Sequence, residues 1–306
     1  MVIPDKLYNQ IEITDPIIEN LINSKPFLRL KDINQYGGVN LVFPDKYQVT
    51  RYQHSLGVYH VLKSLRANHE IQIAGLLHDI GHTALSHLYD MALESQTEDN
   101  HELIMQNLEG WDEVQNILDK NGLKMMRPDE YVLIKKSLPD IGADRFDYAL
   151  RDYSFATNEF SDLPIKLLTD IAIDEQGMYF NSLELASKFA EMGNKALWLV
   201  IYDPNIAVVY QSLIEMIRIG IKDGWLSTED FMKTDKHVVD KIKTRKKLLP
   251  EKYIKVLEEK YVVEETDEKH SDFKFMKHKI RYFDPRVKNV NGLVGSPSLI
   301  QTLKQA

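Results

Sequence analysis

The chain reads as a mainly α-helical protein with a smaller α+β carboxy-terminal part. Three observations carry that expectation. From Arg51 to about Asp223 the apolar residues recur at spacings of three and four, the period of a helix with one buried face. Strand-like alternation is confined to short stretches. Seven of only ten histidines fall between positions 54 and 101, in a segment that is not low-complexity, which points to a polar, metal-centred site inside the helical region.

The elements follow in order. Asp15-Pro16 opens a helix carrying Ile17, Ile18, Leu21 and Ile22, because proline is tolerated in a first helical turn. Gln35-Tyr36-Gly37-Gly38 is a turn, and Val39 to Phe43 reads as a short strand ended by Pro44. A helix through 51–66 puts His54 on the stripe of Val58, Val61, Leu62 and Leu65, facing inward. In the next helix Ile71, Ala74 and His78 share a stripe, Asp79 follows around the helix, and Gly81 is the expected stop. Thr83 is expected to cap a helix with His87 and Asp90 on one face, and Asn100 a further helix near whose start His101 lies. Ile171–Ile173 and Met178–Phe180 flank a small hairpin turn. Residues 227–261 form two charged amphipathic helices, and Lys274 to Ile280 alternates toward a strand closed by Asp284-Pro285. The expected organisation is a helical catalytic core over 1–225 and a charged α+β region over 226–306, with no repeat or linker.

Composition narrows the chemistry. Hydrophobic residues are 43% and charged residues 27%, values of a soluble globular protein. No apolar run reaches ~18 residues and no basic-then-apolar leader is present, so neither a membrane span nor export is expected, and the expected location is the cytoplasm. With no cysteine, disulfides and thiolate ligands are excluded. Any metal is held by nitrogen and oxygen, which suits Mn, Mg, Fe, Ni, Co or Zn. The net charge of −8 is uneven: residues 231–306 hold 18 Lys/Arg against 11 Asp/Glu, and the acidic remainder argues against broad nucleic-acid binding. The basic tail suits an anion or an acidic neighbouring subunit in a homo-oligomer, or is a solvated helical face.

A buried histidine beside a buried aspartate is unfavourable unless paired or metal-bound. His54, His78 and Asp79 therefore need a further carboxylate, and Asp140 to Asp152 is the source, where Asp144, Tyr148, Arg151 and Asp152 share one helical face. An Asp–Arg ladder at i, i+3/i+4 spacing is the other use of that face. His82, His87, Asp90 and His101 make a surrounding group. A phosphate ester at a metal needs donors on its non-bridging oxygens and an acid for its leaving oxygen. Protonated histidines and arginines provide the donors; a histidine beside a carboxylate provides the acid.

Arg51-x-x-His54-Ser-Leu-Gly-Val, His78-Asp79-x-Gly-His82-x-x-x-Ser-His87, His101-Glu102 and Asp144-Arg145-x-Asp-Tyr148-x-x-Arg151-Asp152 resemble the HD-domain phosphohydrolases. The likeness is greatest to their dNTP triphosphohydrolase branch, the bacterial dGTPases and the vertebrate SAM-and-HD-domain dNTPase. Leu28-Arg29-x-x-x-Ile33-x-Gln35-Tyr36-Gly37 resembles the segment ahead of that core. The resemblance implies a divalent metal ion held by His54, His78, Asp79 and Asp144. It places Arg51, His82, His87, Asp90 and Arg145 near the phosphates, with His82 and Asp90 counted as catalytic and His101 as the catalytic acid/base. Gln35, Tyr148 and Asp152 would face the sugar. Two departures bear on specificity rather than metal chemistry: Tyr36 is bulkier than usual, and Val209-Tyr210-Gln-Ser-Leu lacks the usual His-Lys pair. The implied reaction is dNTP cleavage to a deoxynucleoside and tripolyphosphate. The alternatives are hydrolysis of another phosphorylated metabolite or signalling nucleotide, and a non-catalytic nucleotide-binding module.

Overall fold

Asp15 caps the first helix as its sequence dictates, its carboxylate accepting from Ile17 N at 2.7 Å. In the computed structural model, which describes residues 1–43, 45–93, 105–124, 127–263 and 281–288, a hairpin precedes that helix. Strands β1 (Val2–Asp5) and β2 (Asn9–Glu12) pair antiparallel with Asp5 opposite Asn9. Helices α1 (Pro16–Ile22) and α2 (Lys25–Arg29) follow.

The strand expected over Val39–Phe43 is instead a 3-10 turn, Val39–Leu41. Gly37 and Gly38, at φ 54° and 85°, turn the chain, and the following amides close locally: Leu41 N on Gly38 O at 2.9 Å and Phe43 N on Val39 O at 3.0 Å. Val39 and Val42 are buried by packing, so the apolar run reflects burial and not sheet pairing.

The helices that follow are α3 (Arg51–Ser64), α4 (His69–Leu77), α5 (His87–Ala92), α6 (Trp111–Lys120), α7 (Ala143–Thr157), α8 (Leu163–Asp170), α9 (Leu183–Ala196) and α10 (Pro204–Lys222). A capping box starts α3: Thr50 Oγ1 accepts from Gln53 N at 3.3 Å, and Gln53 Oε1 accepts from Thr50 N at 3.0 Å. Helix α3 packs against both α4 and α7, α7 against α9, and α5 against α10. The expected hairpin is present as β3 (Ile171–Asp174) and β4 (Gly177–Phe180). No single helix among the described residues is long and apolar enough to cross a membrane.

Two expected helix boundaries move. Helix α4 ends at Leu77 with His78 as its C-cap, before Gly81. Neighbours on a continuing helix diverge by ~100°, whereas a turn at His78 lets His78 and Asp79 aim at one point. Thr83 does not cap α5; its hydroxyl donates to Ser86 O at 3.1 Å. Ser86 precedes α5, and both Leu85 and Ser86 take positive φ, 61° and 51°, conformations that surrounding contacts must hold.

Those contacts come from the carboxy-terminal region, which holds α11 (Thr228–Phe231), α12 (Asp235–Thr244) and α13 (Glu251–Leu257). Asp235 accepts from Leu85 N and from Asn34 N, each at 2.7 Å, and Ala84 N donates to Phe231 O at 2.7 Å. Phe231, Val238, Val239 and Ile242 enter the same apolar core as the helices before them. The basic stretch, expected to suit an anion, an acidic neighbouring subunit or solvent, spends part of its charge within the chain: Lys241 pairs with Asp230 at 2.6 Å, and Lys246 with Glu258. The strand expected over 274–280 lies outside the described residues. Beyond it Lys288 N donates to Phe180 O at 2.9 Å, tying residues 286–288 to β4.

Candidate metal centre

His54 projects from the first turn of α3 and is 1% exposed. Its Nδ1–H donates to Asp147 Oδ2 at 2.8 Å. His78 Nδ1–H donates to Gly75 O at 2.8 Å. Neither acceptor carries a hydrogen, so each neutral ring keeps its proton on Nδ1 and presents a lone pair at Nε2. The two Nε2 atoms lie 3.2 Å apart. Asp144 Oδ1, from the first turn of α7, is 3.1 Å from His54 Nε2 and 3.8 Å from His78 Nε2. Asp79 Oδ1 is 3.3 Å from His78 Nε2.

Lone pairs and carboxylates converging in a buried site repel one another unless a cation lies among them. The surrounding charge agrees. With both rings neutral, Asp5, Asp79, Asp144 and Asp147 against Arg51 and Arg151 leave an excess of two negative charges, which a divalent ion would neutralise. The donor set is nitrogen and oxygen only, and His54, His78 and Asp144 offer ligand atoms within 4.8 Å of one another. These residues fit a single divalent ion, with Asp79 at the edge of the cluster.

Electrostatics keep the carboxylates ionised. Burial raises Asp79, but Arg51, then His78 and His82, hold it well below the usual carboxylate range. Burial likewise opposes the charge on Asp144 and Asp147, and is outweighed by the His54 hydrogen bond for the first and by Arg151 for the second. Burial works against a charged His54, yet its bonds to Asp144 and Asp147 push it up to about 10 in the metal-free cluster. A bound ion must therefore displace that proton. We expect Mn2+ affinity to rise about tenfold per pH unit from neutrality toward that value and to flatten above it. Competition titrations at several pH values check this; a flat profile would show that His54 is not a ligand.

A glycine lets the ligands meet. A Cβ on Gly57 would sit 1.9 Å from Asp147 Oδ1 and 2.6 Å from Arg151 Nη2, so α3 and α7 approach this closely only because position 57 has no side chain.

The other expected residues are placed as follows. Arg51 is 5% exposed and directed at the protein: Nη1 donates to Asp79 Oδ2 at 2.6 Å and Nε to Ser86 Oγ at 3.0 Å. It fixes a ligand and the loop leading to α5. His82 Nε2 lies 3.2 Å from Asp79 Oδ1, and its ring meets that of His87 edge-on at 4.9 Å. Burial, then Arg51, push His82 well down, so it is a neutral donor and not the protonated cation expected from the sequence. Asp90 is buried on α5. Arg145 is turned to Lys136 O. Tyr148 is half-buried with its hydroxyl pushed up, chiefly by burial. Asp152 accepts from Tyr36 Oη at 2.8 Å, and burial pushes it up to about 7 despite that bond. Gln35 Oε1 is buried with no hydrogen-bond partner among the described residues. His101 lies outside the described residues.

Arg151 departs from its expected place beside Asp144. It is 1% exposed, with Nε on Asp147 Oδ2 at 2.7 Å, so this part of the helix is the Asp–Arg ladder. Asp147, which accepts from His54, is the residue of this cluster that sequence reasoning left without a role. Its position three residues after Asp144, one helical turn on, was the available signal.

Comparison with known proteins places this geometry. The HD domain family matches residues 51–149. The YdhJ protein of Bacillus subtilis is 35% identical over 251 residues, covering 80% of this chain and 76% of that one. Metal-dependent phosphohydrolase cns2 of Cordyceps militaris is 34% identical over 157 residues, 50% of this chain and 45% of that protein. The chain belongs to the HD-domain metal-dependent phosphohydrolases. A further relative, the deoxynucleoside triphosphate triphosphohydrolase SAMHD1 homolog of Dictyostelium discoideum, is 25% identical over 273 residues, 78% of this chain and 51% of that protein. The chain thus spans about half the length of these two relatives with named activities. A hypothetical protein from Aquifex aeolicus shares the fold, with a TM-score of 0.64 at 24% identity over 85% of this chain and 76% of that one. In this HD-domain protein the adjacent His78 and Asp79 occupy the turn after α4, where they reach the same point as His54 and Asp144.

Proposed function

We propose that the protein hydrolyses nucleotides, with a deoxynucleoside triphosphate as substrate and a deoxynucleoside and tripolyphosphate as products. The observation that carries this reading is the convergence of His54 and His78 Nε2 with Asp144 Oδ1, whose side chain is 20% exposed and leaves the centre one open side. The similarity to the Dictyostelium relative supports the substrate class. A divalent ion held there polarises a phosphoryl oxygen and lowers the pKa of water. His82, neutral beside Asp79, and His87 at the start of α5 donate hydrogen bonds toward the phosphates. Gln35 supplies an unsatisfied buried acceptor for a sugar hydroxyl.

One observation favours a second reading, hydrolysis of a different phosphorylated metabolite. The Tyr36 hydroxyl already occupies Asp152, the carboxylate assigned to the sugar by resemblance. A screen of the purified protein with Mn2+, Mg2+, Fe2+, Ni2+ or Co2+ against dNTPs, NTPs and cyclic or pyrophosphorylated nucleotides, with products separated by chromatography, decides between them. Tripolyphosphate from dNTPs alone supports the first reading. Turnover only of another phosphate ester supports the second, and no turnover with any metal overturns both.

His101 is assigned as the proton donor to the leaving oxygen, since the ligand positions are filled by other residues. His101→Ala is expected to lower turnover by about 10²–10⁴-fold, the usual worth of a positioned acid/base, with metal content unchanged. Loss of metal in that variant would make His101 a ligand instead.

A further inference from the structure

Behind His54, on the side away from Nε2, lies a buried polar assembly that no step of the hydrolysis uses. Asp147 Oδ2 accepts from His54 Nδ1 at 2.8 Å and from Arg151 Nε at 2.7 Å. Asp147 Oδ1 accepts from the Tyr8 hydroxyl at 2.9 Å, across 139 positions of sequence. Arg151 Nη2 in turn donates to Asp5 Oδ2 at 2.9 Å. Asp5 ends β1 and Tyr8 lies in the turn before β2, and Asp5 Oδ1 fixes that turn by accepting from Leu7 N at 2.8 Å and Tyr8 N at 3.1 Å. Tyr8 is 4% exposed and Asp147 fully buried.

We propose that the amino-terminal hairpin is a positioning element of the metal centre, in which Tyr8 and Asp5 hold Asp147 so that His54 Nε2 points at the ion. A carboxylate rotates readily about its terminal torsion unless both oxygens are held. Oδ2 alone, shared by His54 and Arg151, leaves the plane of the group free to swing; the Tyr8 hydroxyl on Oδ1 fixes it. The plane of Asp147 sets the tilt of the His54 ring, and so the direction of the Nε2 lone pair. Arg151 is held from its far side by Asp5, so its own grip on Asp147 depends on the hairpin as well. The hairpin also buries Leu7 and Ile11, but apolar packing has no need of a hydroxyl and a carboxylate aimed at the ligand helix.

The inference rests on the metal centre and not on any substrate, so its test reads metal alone. Tyr8→Phe keeps the ring against His60 (centroids 4.8 Å apart) and under the Arg151 guanidinium (5.7 Å), removing only the hydroxyl. In the full chain, this variant is expected to bind Mn2+ about tenfold more weakly, the low end of what losing a partner of a ligand does. The visible spectrum of the Co2+-loaded variant is expected to change, reporting altered ligand orientation that a purely structural hairpin would leave alone. A folded Tyr8→Phe protein with Mn2+ affinity within about twofold of the parent and an unchanged Co2+ spectrum overturns the proposal. Should Tyr8→Phe fail to fold, Asp5→Asn carries the same two measurements with the same outcomes.

Discussion

Replacing Asp144 by alanine is expected to empty the metal centre while the fold persists. Asp144 is the proposed ligand least committed elsewhere: its Oδ1 faces His54 and His78 Nε2, and its side chain keeps 20% exposure, so its loss opens no sealed cavity. His54 stays anchored through Asp147, and Arg51 stays paired with Asp79. Removing Asp79 gives a less clean result. It would leave the Arg51 guanidinium buried without its carboxylate, a loss of about 3–5 kcal/mol that confounds metal loss with unfolding. Elemental analysis after equilibration with Mn2+ should find metal largely lost from Asp144→Ala, with an unchanged circular dichroism spectrum. Turnover should fall roughly 10³-fold or more, the equivalent of several kcal/mol of charge stabilisation. Retained stoichiometric metal would remove Asp144 from the ligand set.

The parts of this architecture visible in the sequence are those that local rules determine. The stripe of His54 with Val58, Val61 and Leu62 needs only the helical period, and α3 buries all four. The Asp15 cap and the hairpin around Gly177 are likewise short-range chemistry. The failures occur where tertiary contacts override it. Val39–Leu41 carries apolar residues but has no strand beside it among the described residues, and it closes on its own carbonyls. Helix α4 stops before its glycine, and the turn that follows brings His78 and Asp79 to one point.

The site shows the same division. Clustered histidines and a downstream acidic helix point to the candidate cluster of His54, His78 and Asp144, because metal chemistry demands particular side chains. Sequence cannot show which arginine serves substrate and which serves structure. Arg51 and Arg151 look alike as charges, yet both are turned inward onto Asp79 and Asp147. Nor can it show Tyr8 and Asp5 joining the centre, since those bonds cross 139 and 146 positions and follow from docking of the hairpin. His82 looks cationic in sequence and is neutral in place, because burial and Arg51 both oppose its charge.

Gly57→Ala is expected to be destabilising and to weaken metal binding, against the ordinary rule for a helix interior. On intrinsic propensity alone alanine is the better residue by about 0.8–1 kcal/mol. Here the added carbon would lie 1.9 Å from Asp147 Oδ1, 2.5 Å from Asp147 Cγ and 2.6 Å from Arg151 Nη2. These atoms cannot swing aside, because Asp147 is held by Tyr8, His54 and Arg151, and Arg151 is held by Asp5. The strain is relieved only by parting α3 from α7, the two helices that carry His54 and Asp144. Overpacking of this kind costs about 1–3 kcal/mol beyond the propensity gain. In a chain of this size that lowers the unfolding temperature by roughly 2–10 °C. The movement also lengthens the 3.1 Å approach of His54 Nε2 to Asp144 Oδ1, so Mn2+ affinity should fall together with stability. Calorimetry and Mn2+ titration of one preparation test both effects. An alanine variant more stable than the parent, with parental Mn2+ affinity, would show that the spacing of α3 and α7 does not depend on the missing side chain.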